Sequence, residues 1–256
     1  MYTFRGRDGV PFISWSLHMF GRFIRTVIPL VVLSAGPLAV PTFAQVADQQ
    51  KICSLVENRG FTVGKWSSYN WTGGDATASK LRMAVVGKEP HDSTTYYWYE
   101  IKLDDPSRPN AGLIVQSLVP NLAGAGRVRA VIMKTGAQPA MKMPPQMVQM
   151  INSTPGMNMA ADIARQCLNM NAVGWETVTV PAGQFRAFHM KTVGQTQPMI
   201  SEIWVQPDLQ FAIVKAILKD GGVVELTGQG SGAQSSIRET PVDMPGLPVA
   251  PPAPPR

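Results

Sequence analysis

Histidine is scarce in this chain, with three in 256 residues, and cysteine scarcer still, with Cys53 and Cys167 alone. The first shortage leaves few general bases at neutral pH. Lys and Arg are not gathered into any dense cluster, so the electrostatic footprint of a nucleic-acid binder is missing. No apolar run reaches the roughly 18 residues that read as a membrane-crossing helix. The one glycine-rich run, Gly228-Gln229-Gly230-Ser231-Gly232, opens no helical pattern, which removes the phosphate-cradling loop.

What is present begins at the N-terminus. Arg22 and Arg25 precede an apolar run from Val27 to Val40, followed by the small-residue exit Thr42-Phe43-Ala44. That is the layout of a secretory signal, and Pro29 and Pro37 further disqualify the run as a membrane span. The expectation is a signal peptide over 1–44, started at Met1 or Met19 and cleaved after Ala44. No cysteine closes the apolar run, so the lipobox of a bacterial lipoprotein is absent. The product is expected in the periplasm, with secretion as the alternative, and without stable membrane insertion. Removing 1–44 leaves 19 basic and 16 acidic groups, a balance of +3 against the +6 of the whole chain.

Cys53 and Cys167 would then enter an oxidising compartment, where two cysteines pair more often than not. Two separately buried thiols are the alternative.

Downstream, the period is helical from Asp48 to Arg59, with Ile52, Leu55, Val56 and Arg59 on one face, Asp48 as cap and Gly60 as stop. It then changes to two. Strands are expected at about 62–72, 80–88, 94–103, 111–119 and 126–134. Residues 137–173 carry seven methionines and are broken by Pro139, Pro144, Pro145 and Pro155; short helices are expected at 145–152 and 158–170. Five more strands follow, at about 174–181, 184–194, 199–206, 211–219 and 222–229, punctuated by Pro181-Ala182-Gly183 and Asp220-Gly221-Gly222. A single domain over 45–230 is expected, then a disordered tail over 231–256, where seven prolines crowd into 241–256. Helices do not alternate with strands, which argues for an antiparallel sheet. Several strands are apolar on both faces: Tyr97, Tyr99, Ile101 and Leu103 oppose Tyr96 and Trp98.

The segments Lys80-Leu81-Arg82-Met83-Ala84-Val85-Val86-Gly87-Lys88-Glu89, Tyr97-Trp98-Tyr99-Glu100 and Gly174 to Phe185 are similar to a group of uncharacterised exported bacterial proteins, as are Glu202-Ile203-Trp204-Val205 and Phe211-Ala212-Ile213-Val214-Lys215. Their sheets resemble the outer-membrane lipoprotein carrier and receptor. The resemblance spans about 60–230. It implies an α+β, mostly β fold: a curved, unclosed antiparallel half-barrel of about ten strands enclosing two or three helices, with an apolar cavity between.

Catalytic residues are not found. His91 falls in the polar stretch Glu89-Pro90-His91-Asp92-Ser93, where neighbours one residue apart do not present a nucleophile to its base. His189 alternates with Phe185 and Ala187 as a sheet residue, and Glu100 and Glu202 read as cross-strand partners of Lys102 and Lys215. No enzyme and no cofactor are expected. The methionine cluster stays open to three readings: packing, lining of a ligand cavity, and Cu(I) binding by Met141, Met143, Met157 and Met159. The leading expectation is a non-enzymatic protein binding a lipid or lipidated amphiphile. Its cavity would be lined by Met143, Met147, Met150, Met159, Ile163, Trp98 and Trp204. An envelope structural or interaction module without a small ligand is the alternative.

Overall fold

Period-two patterning dominates the described residues of the computed structural model, which are 43–74, 79–91, 93–105, 111–120, 128–153, 167–192 and 200–245. All belong to one compact unit, residues 40–256. Helix α1 spans Phe43–Glu57 and precedes strands β1 Trp66–Thr72, β2 Ser79–His91, β3 Thr94–Asp104, β4 Leu113–Val119, β5 Ala130–Thr135 and β6 Met141–Lys142. Helix α2, Pro145–Ser153, follows. Then come β7 Met170–Val180, β8 Gly183–Thr192, β9 Ile200–Val205, β10 Ile213–Leu218, β11 Val223–Gly230 and β12 Val242–Asp243.

The twelve strands form one sheet in the order β12-β6-β5-β4-β3-β2-β1-β11-β10-β9-β8-β7, not closed into a barrel. It is the expected unclosed half-barrel. Two antiparallel meanders, β1 to β6 and β7 to β11, meet where β1 pairs with β11. The sheet departs from purely antiparallel pairing at one place, the two-residue parallel ladder between β12 and β6.

Turn chemistry accounts for the hairpins. Gly183 follows Pro181-Ala182 at φ 125°, and Gly221 takes φ 83° while Asp220 Oδ1 accepts from Gly222 N at 2.9 Å. Helix α1 starts earlier than its pattern predicts, so Asp48 is no cap. It lies inside the helix and accepts a hydrogen bond from Trp175 Nε1 at 3.0 Å. In α2, Pro145 opens the first turn, where its missing N–H costs nothing, and Asn152 holds both Val128 N and Val128 O at 2.9 Å. The expected helix 158–170 falls mostly outside the described residues, and Met170 already belongs to β7.

Cys53 and Cys167 are joined, with Cα atoms 5.7 Å apart, tying α1 to the start of β7 across 114 residues of sequence. Gln49 reinforces the junction by donating to Cys167 O and Met170 O. Ile52, Cys53 and Val56 of α1 share one core with Phe188, Met190, Ile203 and Val214. The sheet face that meets α1 is the inner face.

The tail expectation needs correction. Residues 231–245 form a strap across the outer face of the first meander, and only 246–256 fall outside the described residues. The physical reason is a set of partners that composition does not reveal. Ser236 donates to Glu100 through its backbone N (2.9 Å) and Oγ (2.7 Å), Ile237 packs with Ile114 and Ala140, and Val242 N reaches Ala140 O at 2.9 Å.

Candidate functional site

Strict alternation sorts the side chains of β2 to β5 into two faces. Phe61, just beyond α1, meets Tyr97 edge-on at 5.6 Å and stacks on Tyr99 at 5.9 Å, so the odd-numbered positions of β3 face inward. The register then defines three cross-strand rows on the inner face. Val85, Tyr99, Ser117 and Val131 make the first. Met83, Ile101, Val115, Met133 and Met141 make the second. Leu81, Leu103 and Leu113 make the third, and Tyr69 of β1 stands beside Leu81.

The rows differ in burial. In the first, Val85, Tyr99 and Val131 are sealed, whereas every side chain of the second and third rows is only half-buried. On β4 the usual order is inverted: the outward Ile114, Gln116 and Leu118 are 9%, 5% and 3% exposed, and the inward Leu113 and Val115 remain half-open. The strap and its neighbours cover the outside of this strand, while among the described residues no comparable segment covers the inside. The result is an apolar trough of two rows, bordered on the β5 side by Met143 and by Ile151 of α2.

Tyr69, next to the trough, is fully buried, and so is Tyr99. Burial pushes both hydroxyls above the ordinary tyrosine range, with Tyr69 adding to the rise at Tyr99. Both stay protonated at any physiological pH.

The expected cavity residues distribute unevenly over this geometry. Met143 packs against the core beside the trough, Met147 is half-buried on α2, and Met150 points outward at 45% exposure. Met159 and Ile163 lie outside the described residues, as does Met157. Trp98 and Trp204 stand on the outer face, a correction to their expected place in the cavity. Trp98 Nε1 donates to Glu89 at 2.7 Å, and Trp204 stacks on His189 with ring centroids 4.1 Å apart. Alternation requires this of Trp98, because Tyr97 and Tyr99 take the inner side. Sequence reasoning did not assign Leu81, Met83, Ile101, Leu103, Leu113, Val115 and Met133 to a site. The signal available for them was their period-two phase, shared across four strands.

A polar constellation occupies the outer face of the second meander. His189 Nε2 is 2.9 Å from Glu202 Oε2, and its Nδ1 is 3.3 Å from Glu176 Oε1. Trp204 Nε1 donates to Glu176, Lys191 approaches Glu202 at 3.4 Å, and Lys215 pairs with Glu225 at 2.8 Å. Both carboxylates around His189 are thus engaged. The network clamps β7 to β8 and β9. Lys215 corrects the expected pairing with Glu202, and Glu100 the expected pairing with Lys102. Glu100 is sealed under the strap, with Gln116 Nε2 (2.8 Å) and Ser236 as its donors. His91 ends β2 rather than a loop, with its ring edge-on to Tyr96 at 5.4 Å. Among the described residues, no group of three or more His, Cys, Asp or Glu is arranged to hold a metal ion.

No family model matches the chain, and no curated protein does. Among solved structures, MucB is similar with a TM-score of 0.43 at 12% identity, over 77% of this chain and 62% of MucB. This chain therefore spans less than two thirds of that relative. A protein from Bacteroides fragilis described as exported, with a YmcC-like fold, matches at a TM-score of 0.34 and 12% identity, over 67% of this chain and 98% of its own. A DUF1329 family protein from Desulfovibrio piger matches at 0.31 and 10% identity, over 79% and 96%. At these scores the likenesses carry no argument about this chain.

Proposed function

We propose that this is an exported, non-enzymatic binding protein that holds a lipid or other amphiphile against the inner face of its first meander. One observation carries the reading. Two rows of apolar side chains, from Leu81 to Leu113 and from Met83 to Met141, are left half-exposed on the face that a folded sheet ordinarily fills. An acyl chain laid across them gains about 25 cal/mol for each Å² of apolar surface it removes from water, before the costs of association. The signal-like N-terminus supports the exported address, and no described helix is long and apolar enough to cross a membrane. Cleavage after Ala44 would leave Gln45 as the first residue, which already bonds Val173 O through its side chain at 2.8 Å.

Native mass spectrometry of the mature protein, purified from the exported compartment, tests this. An added mass of lipid size, released on denaturation, is expected. A bare mass from every gentle preparation contradicts it and favours an interaction module of the envelope. Cu(I) handling keeps one observation in its favour: Met141 faces Met133 across the β5–β6 ladder, and Met143 follows on the same side. That reading requires copper retention lost on Met141→Leu and Met143→Leu.

A further inference from the structure

Along β3 the inner side chains run Tyr97, Tyr99, Ile101 and Leu103, about 7 Å apart as alternation dictates. Burial changes between the second and the third. Val85 gives way to Met83 on β2, Tyr99 to Ile101 on β3 and Val131 to Met133 on β5, each time from sealed to half-open. The register sets these three changes in line, so the trough has a continuous inner boundary. At β3 that boundary is aromatic. Phe61 stacks on Tyr99 and meets Tyr97 edge-on, and Phe211 tilts against Tyr99 with ring centroids 5.7 Å apart.

Neither phenylalanine belongs to a strand of the sheet. Phe61 lies in the connection from α1 to β1, and Phe211 in the turn between β9 and β10. The two segments are clamped together. Gln210 Nε2 donates to Gly60 O and Gln210 Oε1 accepts from Thr62 N, both at 3.2 Å, so one amide grips the backbone on either side of Phe61. Arg59 donates to Leu209 O in the same turn. The turn also holds Ala212, 2% exposed, at φ 58°, a left-handed conformation that costs an L residue energy. Bonds from Gln206 N to Ala212 O (2.7 Å) and from Ala212 N to Leu209 O (3.0 Å) keep it there. Such strain persists only where the surroundings over-determine the backbone. A buried, strained turn that fixes two rings at the edge of an open apolar surface points to a role in shaping that surface.

Resting on the amphiphile reading, we propose that Phe61 sets how long an acyl chain the trough accepts, with Gln210 as the residue that positions it. A chain laid along β3 over Leu103 and Ile101 meets the Phe61–Tyr99 pair and stops there. Each methylene it buries before that point adds about fourfold in affinity, and each one beyond it adds none.

The test is isothermal titration of the mature protein with decanoic, dodecanoic, tetradecanoic, hexadecanoic and octadecanoic acids. Native affinity is expected to climb with length and then level off at one member of the series. Phe61→Ala should move that plateau to a longer acid. The affinity of the next acid relative to the native plateau acid should then rise about tenfold, the worth of two buried methylenes. Gln210→Ala, which removes no ring, should move the same ratio about threefold. Phe61→Leu should move it in the same direction and covers the case in which Phe61→Ala does not fold. Phe188→Ala, in the sealed half, should lower the unfolding temperature and leave the plateau in place. An unmoved plateau in both Phe61→Leu and Gln210→Ala, or an equal move in Phe188→Ala, overturns the assignment. So does a native affinity that climbs through the whole series, although the amphiphile reading then stands. If the native protein binds none of the acids, the amphiphile reading falls with it.

Discussion

In the second meander, Phe188, Met190, Ile203 and Val214 are sealed beneath α1, and the outer face carries an ion-paired network around His189. In the first, the strap seals the outer face, while Leu81, Met83, Ile101, Leu103 and Val115 stay half-open on the inner one. Both meanders are built from strands of the same antiparallel register, and they join at β1 and β11. The difference lies in which face receives the covering segment. A helix stapled by a disulfide fills one half as a stable core. A strap on the opposite face lets the other half keep an apolar surface without losing its fold. On the proposed reading, stability and binding fall to different halves of one sheet.

The largest predicted effect attacks the filled half. Replacing Cys53 and Cys167 by Ser removes a cross-link spanning 114 residues, worth about 4–5 kcal/mol by loop-closure entropy. Denaturant unfolding of the double variant should show that loss, and reductant should reproduce it in the native chain. Next, the halves can be compared by truncation. Phe188→Ala should cost about 3–5 kcal/mol, because its site is fully packed. Leu103→Ala should cost about 1–2 kcal/mol, since the side chain is already half-exposed, yet it should weaken ligand retention. Equal stability costs at the two positions would erase the distinction between filled and open halves.

The strap gives a third comparison. Glu100→Ala leaves Ser236 N and Gln116 Nε2 without their carboxylate under a buried surface, at a cost of about 2–3 kcal/mol. Hydrogen exchange should then accelerate at Ile237 and Val242 but not at Phe188. The smallest effect is electrostatic. Glu239 pairs with Lys134, and that hydrogen bond holds its carboxyl below the ordinary range. A depressed folded-state pKa gives stability present above the unfolded value and lost as pH falls through the folded one. Acidification below the usual carboxylate range should therefore loosen the strap slightly, and Lys134→Met should abolish that dependence of exchange on pH.

Much of this architecture is readable from residue order. The ten long strands follow from period-two runs between Gly, Pro and Asp turns, and Gly183 and Gly221 mark two hairpins by their positive φ. The faces were harder to assign. Alternation puts Trp98 opposite Tyr97 and Tyr99, but both faces of β3 are apolar, so pattern alone does not identify the inner one. Strands β6 and β12 have two residues each and pair across about a hundred positions, which leaves no local period to detect. The strap was mistaken for solvated chain because Ser235, Ser236 and Ile237 gain their partners from Glu100, Gln116 and Ile114, distant in sequence.

The most direct measurement is fluorescence quenching by a brominated long-chain fatty acid in single-tryptophan replacements. Trp71 stands on the inner face of β1, while Trp98 and Trp204 stand on the outer face. The account predicts saturable quenching that is largely lost in Trp71→Phe and retained in Trp98→Phe and Trp204→Phe. Quenching that disappears instead with Trp98 or Trp204, or that never saturates, would contradict an inner-face binding trough.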